Sequence, residues 1–198
     1  MARLRDDHVE ATKRALLAAA RRRFGTSGFA GTSLDDVAAE AGVTKGALYH
    51  HFRGKEQLFL AVYDQVESEL SAHGIAAAAE GADAVDGLQR GFAAFLDLAL
   101  DPEIQRIALL DAPSVLGTAA KLEVDARHSL AAVRAAVEIG IAEGRLAPLD
   151  PGTVASLLIA ACSQAALLIA TDDDPATARP RVGAALDRLL TGLTPPPA

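Results

Sequence analysis

Between Thr32 and Phe52 the chain carries two short helix signatures on either side of Gly42, and this limits the local fold more than any other feature. Ser33 is a strong helix cap with Asp36 three residues on as a weak capping-box partner, and the helix it opens ends at Gly42. Thr44 caps a second helix, Lys45 to Phe52. Two helices so close in sequence must cross steeply over a tight turn. Ala38 is small enough for the crossing, and Gly42 tolerates the positive φ of the turn. Leu34, Val37, Ala41, Val43 and Leu48 are placed to hold both helices against a preceding one. The unit reads as a helix-turn-helix with the 44–51 helix projecting.

The rest of the chain also reads as helix. Alanine and leucine dominate, 51% of residues are hydrophobic and 23% charged, and no stretch alternates in the manner of a strand. A first helix runs from Val9 to Phe24 on an apolar stripe of Ala11, Ala15, Leu16, Ala19, Ala20 and Phe24, and Gly25 and Gly28 are expected to break it. A fourth helix starts near Lys55. After a loose Ala76–Gly81 connection, helix resumes over Ala84 to Leu100, and a short one opens at Pro102 and ends near Asp111-Ala112-Pro113. Leu122, Ala126, Leu130, Val133, Val137 and Ile141 mark an amphipathic helix closed by Gly144. Thr153 to Ala170 and a final helix with Val182, Leu186, Leu189, Leu190 and Leu193 complete about nine helices. The expected architecture is all-α: a three-helix head over residues 1–55, a helical bundle over 56–193, and a disordered tail, 194–198.

Charge divides along the same line. Residues 1–55 carry ten Lys/Arg against six Asp/Glu, while 56–198 carry nine against twenty, so a head of +4 precedes a body of −11. Such asymmetry suggests a basic head for a polyanion. The N-terminus has no apolar run of secretory type, and Cys162 is the single cysteine, which excludes a disulfide framework. Thr153 to Ala170 is apolar, yet it contains Ser156, Ser163 and Gln164 and lacks a basic flank, so a buried helix explains it better than a membrane span. A cytoplasmic protein is expected, with no membrane association.

On the projecting helix the outward side chains are Thr44, Lys45, Tyr49 and His50. Lys45 in the first turn can reach guanine O6 and N7, and Gly46 leaves room for close backbone approach. Thr44, Tyr49 and His50 can donate to phosphate oxygens, Lys55 lies at a helix start suited to phosphate, and Ser33 completes the candidate contacts to double-stranded DNA. Tyr49 and His51 could instead pack beside Phe52, and Lys45 could be a merely solvated lysine.

The set Phe24, Gly28-Phe29-x-x-Thr32-Ser33, Val37-Ala38-x-x-Ala41-Gly42-Val43 and Gly46-x-Leu48-Tyr49-x-His51-Phe52-x-x-Lys55-x-x-Leu58 resembles the TetR family of regulators over about residues 9–60. The stretch Asp111 to Gly117 resembles one branch of it. The resemblance implies DNA contacts at Thr44, Lys45, Tyr49, His50 and Lys55. It further implies a homodimer through the last two helices, about 153–171 and 180–193, and an effector pocket within the central helices. A repressor released from a palindromic operator by a small hydrophobic or amphipathic effector is the reading that follows.

Candidate pocket residues are the polar or aromatic ones on apolar helices: Tyr63, Phe92, Phe95, Asp111, His128 and Gln164. Phe92 and Phe95 could equally be core, and Gln164 could serve a dimer interface. Neighbouring His50 and His51 lie about 100° apart on a helix and cannot grip one metal together. Asp125 and His128 lack a third ligand, so no metal is expected. No nucleophile–base pair, phosphate loop or CxxC appears, so neither a cofactor nor an enzyme is expected. The rival readings are a helix-turn-helix activator, a ligand-independent DNA-binding protein, and a helical ligand-binding or interaction protein that never touches DNA.

Overall fold

The computed structural model describes residues 2–195, with side chains from Val9 onward; the tail beyond Pro195 lies outside the described residues. They form eight continuous helical runs and no strand. The elements are α1 (Ala2–Gly31), α2 (Leu34–Glu40), α3 (Lys45–His51), α4 (Lys55–Ala78), α5 (Ala84–Leu98), α6 (Pro102–Ile104), α7 (Ala112–Asp125), α8 (Ala131–Ala142), α9 (Pro151–Ala170) and α10 (Pro175–Thr191). Between α6 and α8 the helical run is kinked once, at Gly117 with φ 75°, and widens to π-helical turns over Gln105–Asp111 and Ala126–Leu130. The chain divides into two compact units, residues 1–66 with 102–118 and residues 67–101 with 119–198.

In the first unit the core gathers around Leu16, Phe24, Val37, Leu48 and Phe59, all fully buried. Phe24 meets Phe59 edge-on at 5.0 Å between ring centres and stacks on Phe29 at 6.0 Å. Gly25 does not stop α1 as the sequence suggests. Instead it lets residue 103 approach, since a Cβ there would sit 2.5 Å from Glu103 Cγ, and Glu103 pairs with Arg21 at 2.6 Å. Only Gly28 leaves helical geometry, at φ 69°. The Phe29 N–H released by that kink is taken up by Asp111 at 2.6 Å, which also faces Arg106.

The expected stop at Asp111-Ala112-Pro113 is absent too. Proline lacks an N–H and presses on the carbonyl four residues back. Here the wide turn just before it absorbs the conflict, with the Ala112 N–H reaching back five residues to Ile107. The second π turn displaces the apolar stripe read from sequence. Each such turn holds an extra residue, so positions before it rotate relative to those after it. Leu122 is accordingly 58% exposed, while Val124, Asp125, Val137 and Gly140 face inward.

The second unit packs α5 against α8, α9 and α10, and α9 against α8 and α10. Side-chain caps and prolines set the starts of these helices. Asp83 accepts from the N–H groups of Val85 and Asp86, and Asp150 and Asp174 cap α9 and α10 just ahead of Pro151 and Pro175. Helix α9 is long and apolar enough to span a membrane by length and composition, yet Ala155, Leu158, Ala166 and Ile169 are buried in the bundle.

The Thr153 N–H, 2.7 Å from Asp150, holds that carboxyl below its ordinary value. A lowered pKa stabilises the fold above the unfolded value, and the gain is lost as pH falls through the folded one. Asp150→Ala should therefore lower Tm at neutral pH. Its deficit against the wild type should shrink toward about pH 3 as the cap protonates, read by circular-dichroism melts.

Candidate nucleic-acid interface

Helix α2 ends in two reverse hydrogen bonds, Val43 N–H to Ala38 O at 3.0 Å and Gly42 N–H to Ala39 O at 3.1 Å. This Schellman closure needs a left-handed residue, and Gly42 has φ 67°. No atom lies within 4 Å of where a Gly42 Cβ would sit, so backbone conformation alone selects the glycine. Two residues on, the Thr44 hydroxyl accepts from the Ala47 N–H at 3.2 Å and starts α3. The Ser33 hydroxyl accepts from the Asp36 N–H at 3.1 Å and donates to its carboxylate at 2.7 Å. Of the seven residues of α3 only Leu48 is fully buried.

That single anchor leaves the other face of α3 outward. Thr44, Lys45, Gly46 and His50 are exposed and Tyr49 is 48% exposed. Around Gly46 a Cβ would meet only Thr44 Oγ1, at 3.9 Å, so the surface is open to a close-fitting partner. Lys45 Nζ pairs with Asp35 of α2 at 2.7 Å, and that hydrogen bond raises its pKa. The ammonium stays charged and is steered by a side chain of the supporting helix.

Among the described residues, Arg22, Arg23 and Lys55 of the head are also engaged. Glu40 receives Arg22 at 2.8 Å and also Arg23, and these guanidiniums hold its carboxyl below the usual range while tying α2 to α1. Lys55 is placed differently from the sequence reading. Its Nζ donates to the carbonyls of Phe29 at 2.8 Å and Thr32 at 3.0 Å and lies 4.3 Å over the Phe29 ring. Two of its three N–H groups thus close the end of α1, a role invisible in a lysine's position along the chain. His51 is half-buried beside Phe52, its ring 6.3 Å away.

The expected pocket residues do not all meet. Phe92 and Phe95 line a cavity in the second unit, together with Glu67, Ser71, Asp125, Ser129, Cys162 and others. Tyr63 is fully buried in the first unit, Asp111 holds the α1 kink there, and Gln164 is exposed on α9; none of the three borders the cavity. His128 is also outside the lining, though its carbonyl accepts from the Ser71 hydroxyl at 2.7 Å.

A short reader helix, capped at both ends and standing on α1 and α2, defines a DNA-binding regulator of the helix-turn-helix class. Residues 16–62 match the family described as bacterial regulatory proteins, tetR family, and residues 85–193 match the tetracyclin repressor-like C-terminal domain. The chain belongs to the TetR family, whose regulators bind operator DNA and act as dimers with small-molecule effectors. It is 38% identical to a TetR-family transcriptional regulator from Pectobacterium atrosepticum whose crystal structure superposes with a TM-score of 0.85, covering 97% of this chain and 98% of that one. The TetC protein of transposon Tn10 from Escherichia coli is 28% identical over 152 residues, 77% of each chain. The regulator TtgR of Pseudomonas putida is 38% identical over 111 residues, 54% of this chain and 52% of TtgR.

Asp35 offsets the charge of the Lys45 ammonium on the exposed face of the head, so Asp35→Asn, by making that face more positive, should tighten duplex binding at low salt. The gain should fade as salt screens the exposed charges, measured by fluorescence anisotropy across a salt series.

Proposed function

We propose that the protein is a repressor that holds a roughly palindromic operator as a homodimer and leaves it when a small molecule enters the cavity of its second unit. The observation that carries this reading is α3 itself, buried through Leu48 alone while Thr44, Lys45, Tyr49 and His50 face outward. Such a helix suits the major groove, with Lys45 on a guanine edge, Gly46 at the closest approach, and Ser33, Thr44, Tyr49 and His50 on flanking phosphates. In this reading Lys55 contributes chiefly by fixing the end of α1 beside the reader, with its third N–H directed to a phosphate. The protein acts in the cytoplasm, where the DNA is.

The exposed apolar residues favour α9 and α10 as the dimer face. Leu157 is 65% exposed, Leu168 52% and Leu189 64%, and Gln164 shares the outward stripe of α9 with the first two. A second copy covering them would pair two heads about 34–36 Å apart, one turn of DNA. A ligand preferring another spacing would shift the population off DNA, and coupling of this kind is typically about 5–150-fold in affinity.

Genomic fragments selected for binding supply the test duplex. Lys45→Ala should weaken its binding about tenfold or more, with an unchanged helical spectrum and an unchanged dimer. Unaltered affinity in a gel-shift titration would remove α3 from the role of reader. Separately, Leu157→Glu combined with Leu189→Glu should give a monomer by light scattering and abolish operator binding.

A further inference from the structure

The cavity of the second unit has a volume of about 190 Å³ and lies between α4, α5, α8, α9 and the end of α7 with the π turn that follows it. Most of its wall is apolar, with Leu70, Phe92, Phe95 and Val133 among the contributors. The charged residues of that wall are Glu67 and Asp125, both acids and each only 7% exposed. Placing carboxylates in an apolar wall is unfavourable in itself, and such groups in a cavity are candidates for recognition.

Among the described residues, no Lys, Arg or His side chain borders the cavity. Lys121 pairs with Asp125 at 2.7 Å. Arg179 of α10 acts on Cys162 electrostatically, but it is matched by Asp97 at 2.8 Å and by the Ala93 carbonyl. Burial pushes the Cys162 thiol up to about 12, so it remains protonated and acts as soft wall rather than nucleophile.

Size narrows the choice further. An apolar cavity of about 150 Å³ holds a benzene molecule, so the present one holds a single ring with a short arm. We infer that the cavity takes a small hydrophobic amine in its protonated form, its ring or aliphatic body against Phe92 and Phe95 and its ammonium toward Glu67 and Asp125. This rests on the reading of the cavity as the effector site. An anionic compound of the same size would meet two carboxylates, and a neutral one would lack the charge-assisted hydrogen bond.

Calorimetric titration of the full-length dimer with 2-phenylethylamine, 2-phenylethanol and 3-phenylpropanoate tests the inference. The amine is expected to bind about tenfold or more tighter than the alcohol, and the carboxylate weakest. Glu67→Gln should erase the advantage of the amine while leaving the alcohol's affinity in place, and Asp125→Asn serves as the second variant if the first fails to fold. A purely structural role for Glu67 would lower Tm without reordering the three probes, and that result overturns the inference. Alcohol or carboxylate binding as tightly as the amine overturns it as well; release of the selected duplex by such a compound would leave ligand-gated repression standing. Failure of all three to bind overturns the amine assignment, whereas failure of the wild type to select any duplex counts only against the repressor reading.

Discussion

A helix of seven residues has no stability of its own in water, because nucleation outweighs the few hydrogen bonds it can make. Helix α3 exists because Leu48 is buried under it and because both sides of the turn are closed, by Gly42 and Val43 behind and by Thr44 ahead. The same three constraints fix its rotation about its own axis. With Leu48 pinned inward, Lys45, Tyr49 and His50 have no choice but to point away from the support. The outward face of α3 is therefore fixed by its support, and the Asp35–Lys45 pair holds one of its side chains against α2.

In the second unit one helix serves two surfaces. Ile159, Cys162 and Ser163 of α9 border the cavity, while Leu157, Gln164 and Leu168 face out from the same cylinder. In the proposed reading those outward residues meet a second copy. A ligand that alters the inner face of α9 then acts directly on the element that sets the separation of the two heads. Close packing makes such an element shift between discrete positions rather than yield gradually. In the proposed reading the three chain connections between the units, within α4, between α5 and α6 and within α7, would carry that shift to the reader.

The reader was legible in sequence because each of its requirements has its own residue type: a hydroxyl cap, a glycine of positive φ, one buried leucine. The fold class was legible for the same kind of reason, since apolar residues recur at helical spacing over nearly the whole chain. What escaped depended on contacts distant in sequence. Gly25 reads as a breaker until Glu103 is seen to lie against it, and the two carbonyls at the end of α1 that Lys55 holds are not readable from its position in the chain. The π turn at Ala126–Leu130 shifted the phase of the longest amphipathic pattern, so Val133 and Val137 of the stripe face inward while Leu122, ahead of the turn, and Ala126, at its start, face out. Pocket residues were the least accessible, because periodicity tells which face turns inward but not where the interior is left unfilled. Glu67 was the one signal overlooked: a carboxylate between Tyr63 and Leu70 on the apolar stripe of α4 invites a reason for its burial.

The central claim is that α3 lies in the major groove at two sites one helical turn apart. Methylation interference on the selected duplex reports this directly, since it modifies guanine N7 in the major groove and adenine N3 in the minor groove. The account requires interference at guanine N7 in two symmetric half-sites about 10–10.5 base pairs apart, lost for one guanine of each half-site in Lys45→Ala. Interference confined to adenine N3, or a single unpaired half-site, would contradict it.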